Sequence, residues 1–281
     1  KKADDAAAPP APPLWRVSDA DSSVYLFGAI GLSPQGAAWR TRDIARAIDT
    51  SETIWFEVPV DEPWAQAAAN RIFAADGMLT PGDRLSSHLP DEAAESLDAI
   101  AAAAGLSLET LEPLKPWAAF VVLSARAQPE SDETAVETAI LTEARSRGRQ
   151  LRYFGTVEDS LRLLTEMTGD QQSRLAAHLI GDFNRQRETA RAGFEAWRTG
   201  DLAAADAFLN GTMRAQSPDI FQRLVSDRAA AIATDIAAIL KSPETAFISL
   251  NASYVVGPDA LPDRLAELGF RIERIGAPAD D

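Results

Sequence analysis

Segments rich in β-forming residues lie towards both ends of this 281-residue chain, and helix formers dominate the stretch between them. Residues 14–17 and 24–27 flank a polar turn, a pattern that predicts a β-hairpin. Residues 53–58 form an almost wholly apolar run, which predicts a buried strand. Residues 245–250 and 270–275 predict two strands near the end of the chain. We therefore expect an α/β (α+β) fold, in which a central mixed sheet is flanked by many helices.

The middle of the chain predicts a helix-rich insertion, because apolar residues recur there at helical spacing. Thr41 is a candidate N-cap for the first helix. The longest helical stretch is expected to break at Gly169-Asp170 and at Gly200-Asp201. One further strand is predicted at residues 150–154. Helices are predicted at residues 41–48, 90–104, 107–111, 117–127, 134–147, 157–209, 219–241 and 261–268.

The strand–turn–helix pattern near residue 28 is echoed near residue 250. This suggests two related halves that meet across one sheet, each supplying a loop to a shared cleft. We expect a single domain over residues 14–275, preceded by a flexible tether at 1–13 and followed by a short tail at 276–281. The tether is rich in Ala, Pro and Asp, a composition typical of flexible linkers.

The tether also suggests an exported, periplasmic-type protein, because an export signal commonly precedes such a segment. A membrane tether at the N-terminus is compatible with this prediction, and an ordinary disordered terminus is the alternative. No apolar run approaches the roughly 18–20 residues that a membrane span requires, so no transmembrane segment is predicted.

The charge balance is acidic: 27 Lys+Arg against 42 Asp+Glu give a formal net charge of −15. That sign argues against nucleic acid or anionic lipid as the main partner. The chain has no cysteine, which excludes disulfides, a thiolate nucleophile and a thiolate zinc site. The partner expected is therefore an unknown protein or a small ligand, and the oligomeric state is left open.

Several short motifs occur in order along the chain. Residues 14–40 read LWRVSDADSSVYLFGAIGLSPQGAAWR, followed by WFEV at 55–58, LKPW at 114–117 and AWRTGD at 196–201. Residues 250–275 then supply the end of a strand, a loop, a helix and a last strand. In this order and spacing, the motifs resemble the TraB/GumN family of Tiki-like, metal-dependent hydrolases over nearly the whole chain.

The resemblance implies a divalent-metal site built from two G-x-x-H loops and a strand glutamate. In such a site the metal ion acidifies a water that attacks an acyl or peptide carbonyl. Glu57 matches the glutamate, but Gly31 and Tyr254 stand where the family places its two histidines. Phe154-Gly155-Thr156 also stands where the family usually carries Leu-Glu-Thr. One carboxylate without imidazole is too few ligands, so no cofactor is predicted, with a divalent metal as the alternative.

The cleft that remains is expected to draw its residues from the two loops, the strand glutamate and two arginines. Glu57 is interpreted as the ion-pair partner of Arg40 or Arg228, or alternatively as a general base. Tyr254 either fills the space of the metal or donates a hydrogen bond to a ligand, and Arg228 either orients the cleft or is solvated. Gly28 is expected where another part of the backbone approaches closely. The predicted cleft residues are Gly28, Gly31, Arg40, Glu57, Arg228, Asn251, Ser253 and Tyr254.

Two histidines and one acidic stretch are assigned no chemistry. His88 and His178 lack a metal-spaced partner and are interpreted as capping or surface residues. The acidic stretch 130–137 is interpreted as a solvated helix start, because it lacks the glycine and glutamate spacing of a calcium loop.

These features favour an exported, non-catalytic member of the family that binds a protein partner or a small ligand. The main alternative is an active metal-dependent hydrolase or peptidase that uses Glu57 with non-standard ligands. A third hypothesis is a scaffold protein, in which Tyr254 packs the cleft shut beside Gly31.

Overall fold

The structure, a computed structural model, describes residues 8–31, 34, 37–59, 61–127 and 135–277. The strands within these residues are β1 (Leu14–Ser18), β2 (Ser23–Ala29), β3 (Thr53–Phe56), β4 (Gln150–Tyr153), β5 (Ala246–Asn251) and β6 (Arg271–Arg274). They form one mixed sheet in the order β4-β3-β5-β2-β1-β6. Strand β1 pairs antiparallel with β2 and with β6, whereas β2, β5, β3 and β4 run parallel.

The helices surround this sheet and fill the middle of the chain. They are α1 (Arg42–Thr50), α2 (Pro63–Asp76), α3 (Asp91–Ala103), α4 (Leu108–Leu111), α5 (Pro116–Ser124), α6 (Val136–Ser146), α7 (Val157–Thr165), α8 (Gly169–Thr199), α9 (Leu202–Asp206), α10 (Thr212–Gln216), α11 (Pro218–Phe221), α12 (Asp227–Ile239) and α13 (Leu261–Glu267). Short 3₁₀ turns lie at Leu85–His88 and Ala252–Tyr254. Two π-helical turns lie at Ala207–Gly211 and Gln222–Ser226.

The predicted mixed sheet flanked by many helices is confirmed, and local sequence signals explain several of its boundaries. Thr41 caps α1 by accepting a hydrogen bond from the Ile44 backbone N–H at 3.2 Å. The break predicted at Gly169-Asp170 is the start of α8, where Thr168 forms a capping box. The break at Gly200-Asp201 is its end, where Gly200 takes the left-handed conformation with φ of 80°.

Helix α2 is absent from the sequence prediction. Its buried residues are Ala65 and Ala68, so the helix lacks the stripe of large apolar side chains on which a periodicity argument depends. Pro63 at its first turn is the local signal that could have located its start.

Helix α8 connects two groups of buried apolar side chains. Leu175 and Phe183, in its first half, belong to a cluster formed among the helices of the insertion. Phe194 and Trp197, near its end, belong to the cluster that packs on the sheet. The helix-rich insertion is thus fixed to the sheet by one continuous helix. Among the described helices, none is both long and apolar enough to cross a membrane.

Gly28, the last but one residue of β2, lies where three other segments converge, as the sequence predicts. Its N–H donates to the Pro13 carbonyl at 2.9 Å. Its carbonyl accepts a hydrogen bond from the Trp197 indole N–H at 2.7 Å. A Cβ at this position would lie 2.3 Å from Val255 Cγ2 and 3.3 Å from Ala252 Cα. Only glycine allows the loop after β5 to pack this closely on β2.

We predict that Gly28→Ala lowers the free energy of unfolding by about 1–3 kcal/mol, because the added Cβ collides with a β-branched side chain of restricted rotation. Urea denaturation measures the change. The matched control is Gly181→Ala in α8, where an added Cβ meets nothing within 4 Å. That substitution should raise the free energy of unfolding by about 0.5–1 kcal/mol through helix propensity. Similar effects for the two substitutions would contradict the close approach at Gly28.

Candidate functional site

The candidate site lies at the edge of the sheet where four parallel strands end. The register pairs Gly28 with Leu250 and Ala29 with Asn251, so the loops after β2 and β5 leave the sheet side by side. Glu57 comes directly after β3. Gly155 comes after β4, and its N–H donates to the Glu57 carbonyl at 3.0 Å. In open α/β sheets, ligands commonly bind at this carboxyl edge.

A cluster of Glu57, Arg228 and Tyr254 occupies this edge. Arg228 Nε donates to Glu57 Oε1 at 3.3 Å, and the Tyr254 hydroxyl donates to the same oxygen at 3.0 Å. The side chains of Glu57 and Arg228 are 22% and 16% exposed. Burial, and then the negative charge of Glu57, hold the pKa of the Tyr254 phenol well above its usual value. Tyr254 therefore stays protonated and serves as a hydrogen-bond donor to Glu57.

Gly155, which follows β4, leaves room for the guanidinium of Arg228. A Cβ at Gly155 would lie 3.2 Å from Arg228 Nη2, so a larger residue there would press on the guanidinium. Arg228 Nη2 is itself buried, and no hydrogen-bond partner is found for it among the described residues. Gly155 is the position at which the family resemblance leads one to expect an acidic residue. With glycine at this position, Glu57 is the carboxylate that pairs with Arg228.

A second carboxylate, Glu137 in the first turn of α6, lies close enough to sense the charge of Glu57. Helix α6 is attached to the loop after β2, because the Val136 N–H donates to the Ile30 carbonyl at 3.2 Å. Burial, then the charges of Glu57 and Asp61, raise the pKa of the Glu137 carboxyl to about 7. The Glu137 carboxyl is therefore partly protonated near neutral pH.

Residues 130–137 are interpreted from the sequence as a solvated helix start, and Glu137 departs from this interpretation because it is half-buried in the first turn of α6. Residues 128–134 lie outside the described part of the chain. A sequence signal was available. Glu137 stands three residues before Ile140, four before Leu141 and seven before Ala144, and all three are buried. Helical periodicity thus places the glutamate on the inward side of α6.

Arg40 does not join the cluster. Of the two arginines considered as partners for Glu57, the structure pairs Arg228 with it, whereas Arg40 forms a two-pronged ion pair with Glu143 on α6 at 2.5 and 2.8 Å. Gly31, in the loop after β2, is exposed.

The loop after β5 carries the other predicted residues and is anchored by a buried ion pair. Asn251 Oδ1 accepts from the Ser253 N–H at 3.0 Å, which closes the turn. The Ser253 carbonyl accepts from Asn210 Nδ2 at 3.0 Å. Asn210 also donates to the buried carboxylate of Asp206 at 2.8 Å, and Arg214 pairs with the same carboxylate. This network fixes the position of Tyr254, and the sequence analysis did not find it.

The two histidines make contacts outside the cluster. His88 Nε2 lies 2.8 Å from Asp83 Oδ2, in the 3₁₀ turn before α3. His178 on α8 has Nδ1 3.2 Å from Gln216 Oε1. Both contacts are local polar pairs and neither involves a metal-type ligand set.

The donor set around Glu57 does not fit a divalent metal. Among the described residues, no group of three or more His, Cys, Asp or Glu side chains is arranged to hold one. Oε1 of Glu57 already accepts from Arg228 and Tyr254. A guanidinium at 3.3 Å from that oxygen would repel a cation bound there. Two carboxylates without an imidazole also lack the ligands that zinc sites use.

Comparison with known proteins agrees with the order of motifs. The family model described as TraB/PrgY/gumN matches residues 13–274. No curated protein and no solved structure gives a match.

We predict that Glu137→Gln raises the free energy of unfolding above pH 7 by about 3 kcal/mol. In the folded protein the pKa of this carboxyl, about 7, exceeds its ordinary value of 4.5. The folded state therefore holds the proton more tightly than the unfolded chain, and stability falls as pH rises through this window. Glutamine has no such proton, so the stability difference between variant and wild type should grow from about pH 4.5 to about pH 7 and then stay constant.

Urea denaturation at a series of pH values from about 4 to about 8 measures this difference. Glu188→Gln, on the exposed side of α8, is the matched control because it makes the same chemical change in solvent. A difference for Glu137→Gln that does not vary with pH would contradict a buried, shifted carboxyl.

Proposed function

Since this chain belongs to the TraB/PrgY/gumN family, we propose that it is a non-catalytic member that binds a ligand or a protein partner at the carboxyl edge of its parallel strands. The observation that carries the proposal is the closed cluster of Glu57, Arg228 and Tyr254. Tyr254 stands at one of the two positions where the family resemblance leads one to expect a histidine. Its hydroxyl faces the carboxylate that a metal would need.

Electrostatics supports a binding role over metal chemistry. A partly buried carboxylate needs a positive partner, and Arg228 supplies one where a metal ion would otherwise do so. A guanidinium cannot acidify a bound water as a divalent metal does. The Tyr254 phenol is also unavailable as a base, because burial and the charge of Glu57 raise its pKa and keep it protonated. The cluster therefore holds two loops together without providing an activated nucleophile.

An active hydrolase that uses Glu57 with non-standard ligands is the second candidate, and Glu137 is the observation that favours it. Two carboxylates close enough to interact, one of them with a pKa of about 7, could divide the roles of acid and base. They could also share a divalent cation if Arg228 moved aside. This candidate requires a rearrangement of the ion pair, whereas the binding role requires none.

We predict that the purified protein holds no stoichiometric divalent metal and shows no saturable 1:1 binding of Zn²⁺ in calorimetric titration. The double variant Gly31→His/Tyr254→His restores imidazole at both loop positions and should bind Zn²⁺ at least about tenfold more tightly than the wild type. Wild-type protein should also show no turnover on a panel of peptides and esters.

The control for this experiment is Glu57→Gln, which keeps the shape of the side chain and removes its charge. Zinc binding by the double variant should weaken when Glu57→Gln is added to it, since the carboxylate is one of its ligands. Stoichiometric metal in the wild type, or turnover that Glu57→Gln abolishes, would overturn the non-catalytic proposal in favour of the hydrolase.

Export to the periplasm is a further part of the proposal. It rests on the Ala/Pro-rich composition of residues 1–13 and on the family resemblance. We predict that the protein expressed from its complete native gene fractionates with periplasmic or membrane-anchored markers. Recovery with cytoplasmic markers alone would contradict this location.

A further inference from the structure

We infer, on the premise of the proposed binding function, that the ligand is a small uncharged molecule with an apolar body. It would bind in a cavity of about 510 Å³ to which the loop after β5 contributes Asn251, Ser253 and Tyr254. This site differs from the Glu57 cluster, but Tyr254 belongs to both. A volume of this size lies in the range of about 300–1,000 Å³ that small-molecule sites occupy.

Rigid elements from distant parts of the chain form the cavity. Helices α5 and α8 supply one part of its lining, and the loop after β5 supplies another. The π-helical turns Ala207–Gly211 and Gln222–Ser226 supply the rest, through Leu209 and Val225 among others. Single π-helical turns are rare and occur often at functional sites, because they displace side chains from the regular helical register. Two π-helical turns at one cavity indicate that the cavity is a binding site and not a gap in packing.

Polar and apolar groups line the cavity in about equal parts. Phe120 from α5, Leu179 from α8, and Leu209, Met213 and Val225 from the segments around the π-helical turns all contribute to the apolar part. These side chains lose no hydrogen bonds when a ligand displaces water from them. They therefore favour an apolar ligand body.

The charges in the lining neutralise one another. Asp182 is buried and forms an ion pair with Arg185, one turn further along α8. Gln186 also donates to the Asp182 carboxylate at 3.2 Å, and Arg185 donates to the Thr212 hydroxyl at 2.9 Å. A charged ligand would have to break this network to find a counter-ion, which would leave a buried charge unpaired. An uncharged ligand can bind without disturbing it.

The polar groups that remain are suited to hydrogen bonding. Asn251 is exposed and Ser253 is partly exposed, and both lie in the turn that the Asp206 network holds in place. Such fixed amide and hydroxyl groups orient a ligand that carries one or two uncharged donors or acceptors. The ligand class is therefore an uncharged apolar ring or chain that carries an aromatic amine, amide or hydroxyl group.

A matched pair of fluorescent probes tests this inference on the full chain. N-phenyl-1-naphthylamine is uncharged and carries one N–H, whereas 8-anilinonaphthalene-1-sulfonate adds a sulfonate to the same ring system. We expect the uncharged probe to bind saturably with 1:1 stoichiometry. The sulfonated probe should bind at least about tenfold more weakly, because the positive charge of Arg185 in the lining is already paired with Asp182.

Cavity-filling variants test whether the uncharged probe binds in this cavity. Val225→Trp and Leu209→Trp each add a large side chain to the lining and should weaken binding of the uncharged probe at least about tenfold. Leu268→Trp, at an exposed position in the turn after α13, is the matched control and should leave binding unchanged. Thermal unfolding of each variant checks the fold, and the second cavity variant serves if the first fails to fold.

The inference is overturned if the uncharged probe does not saturate, if the sulfonated probe binds equally well, or if both folded cavity variants bind like the wild type. Failure of the proposed function is recognised separately, because metal content and hydrolytic turnover are measured without any probe. A protein that hydrolyses a substrate through Glu57 would overturn the non-catalytic proposal whatever the probes show.

Discussion

The parallel pairing of β2 with β5 is the constraint on which the rest of the site depends. These strands come from opposite ends of the chain, and their register sets Ala29 beside Asn251, so the two following loops begin at the same level. The pairing is possible at this distance because Gly28 has no side chain to hold the second loop away. The Trp197 indole then fixes the Gly28 carbonyl from the end of α8. A helix from the middle of the chain thus locks the contact between its two ends.

Charge balance then decides what this edge of the sheet can do. The parallel strand ends bring Glu57 into a partly buried position, where an unpaired carboxylate would be costly. Arg228 and Tyr254 offset that cost with an ion pair and a hydrogen bond. Gly155 leaves room for the guanidinium, and Tyr254 reaches Glu57 from the second loop. The residues at positions 155 and 254 are therefore consistent with each other, since both serve the pairing of one carboxylate with one arginine.

The features that local chemistry determines were predictable from the sequence. The hairpin, the cap at Thr41 and the left-handed end of α8 at Gly200 all depend on residues within a few positions of one another. The choice between Arg40 and Arg228 was not predictable, because each side chain reaches a partner supplied by a distant segment. Glu137 was missed for a related reason. Its helical face was readable, but the burial that chiefly raises its pKa, and the charge of Glu57 that raises it further, depend on segments distant in the chain.

Tyr254 connects the closed cluster to the neighbouring cavity, so the edge of the sheet can hold a ligand site without a metal ion at Glu57. Its hydroxyl is committed to Glu57, while the same residue lines the cavity. The Asp206 network holds its loop in place before any ligand arrives, so little ordering remains to oppose binding. A ligand that contacts Tyr254 therefore meets a residue already fixed by the Glu57 carboxylate. The fixed geometry that metal chemistry would require at this edge can thus serve binding instead.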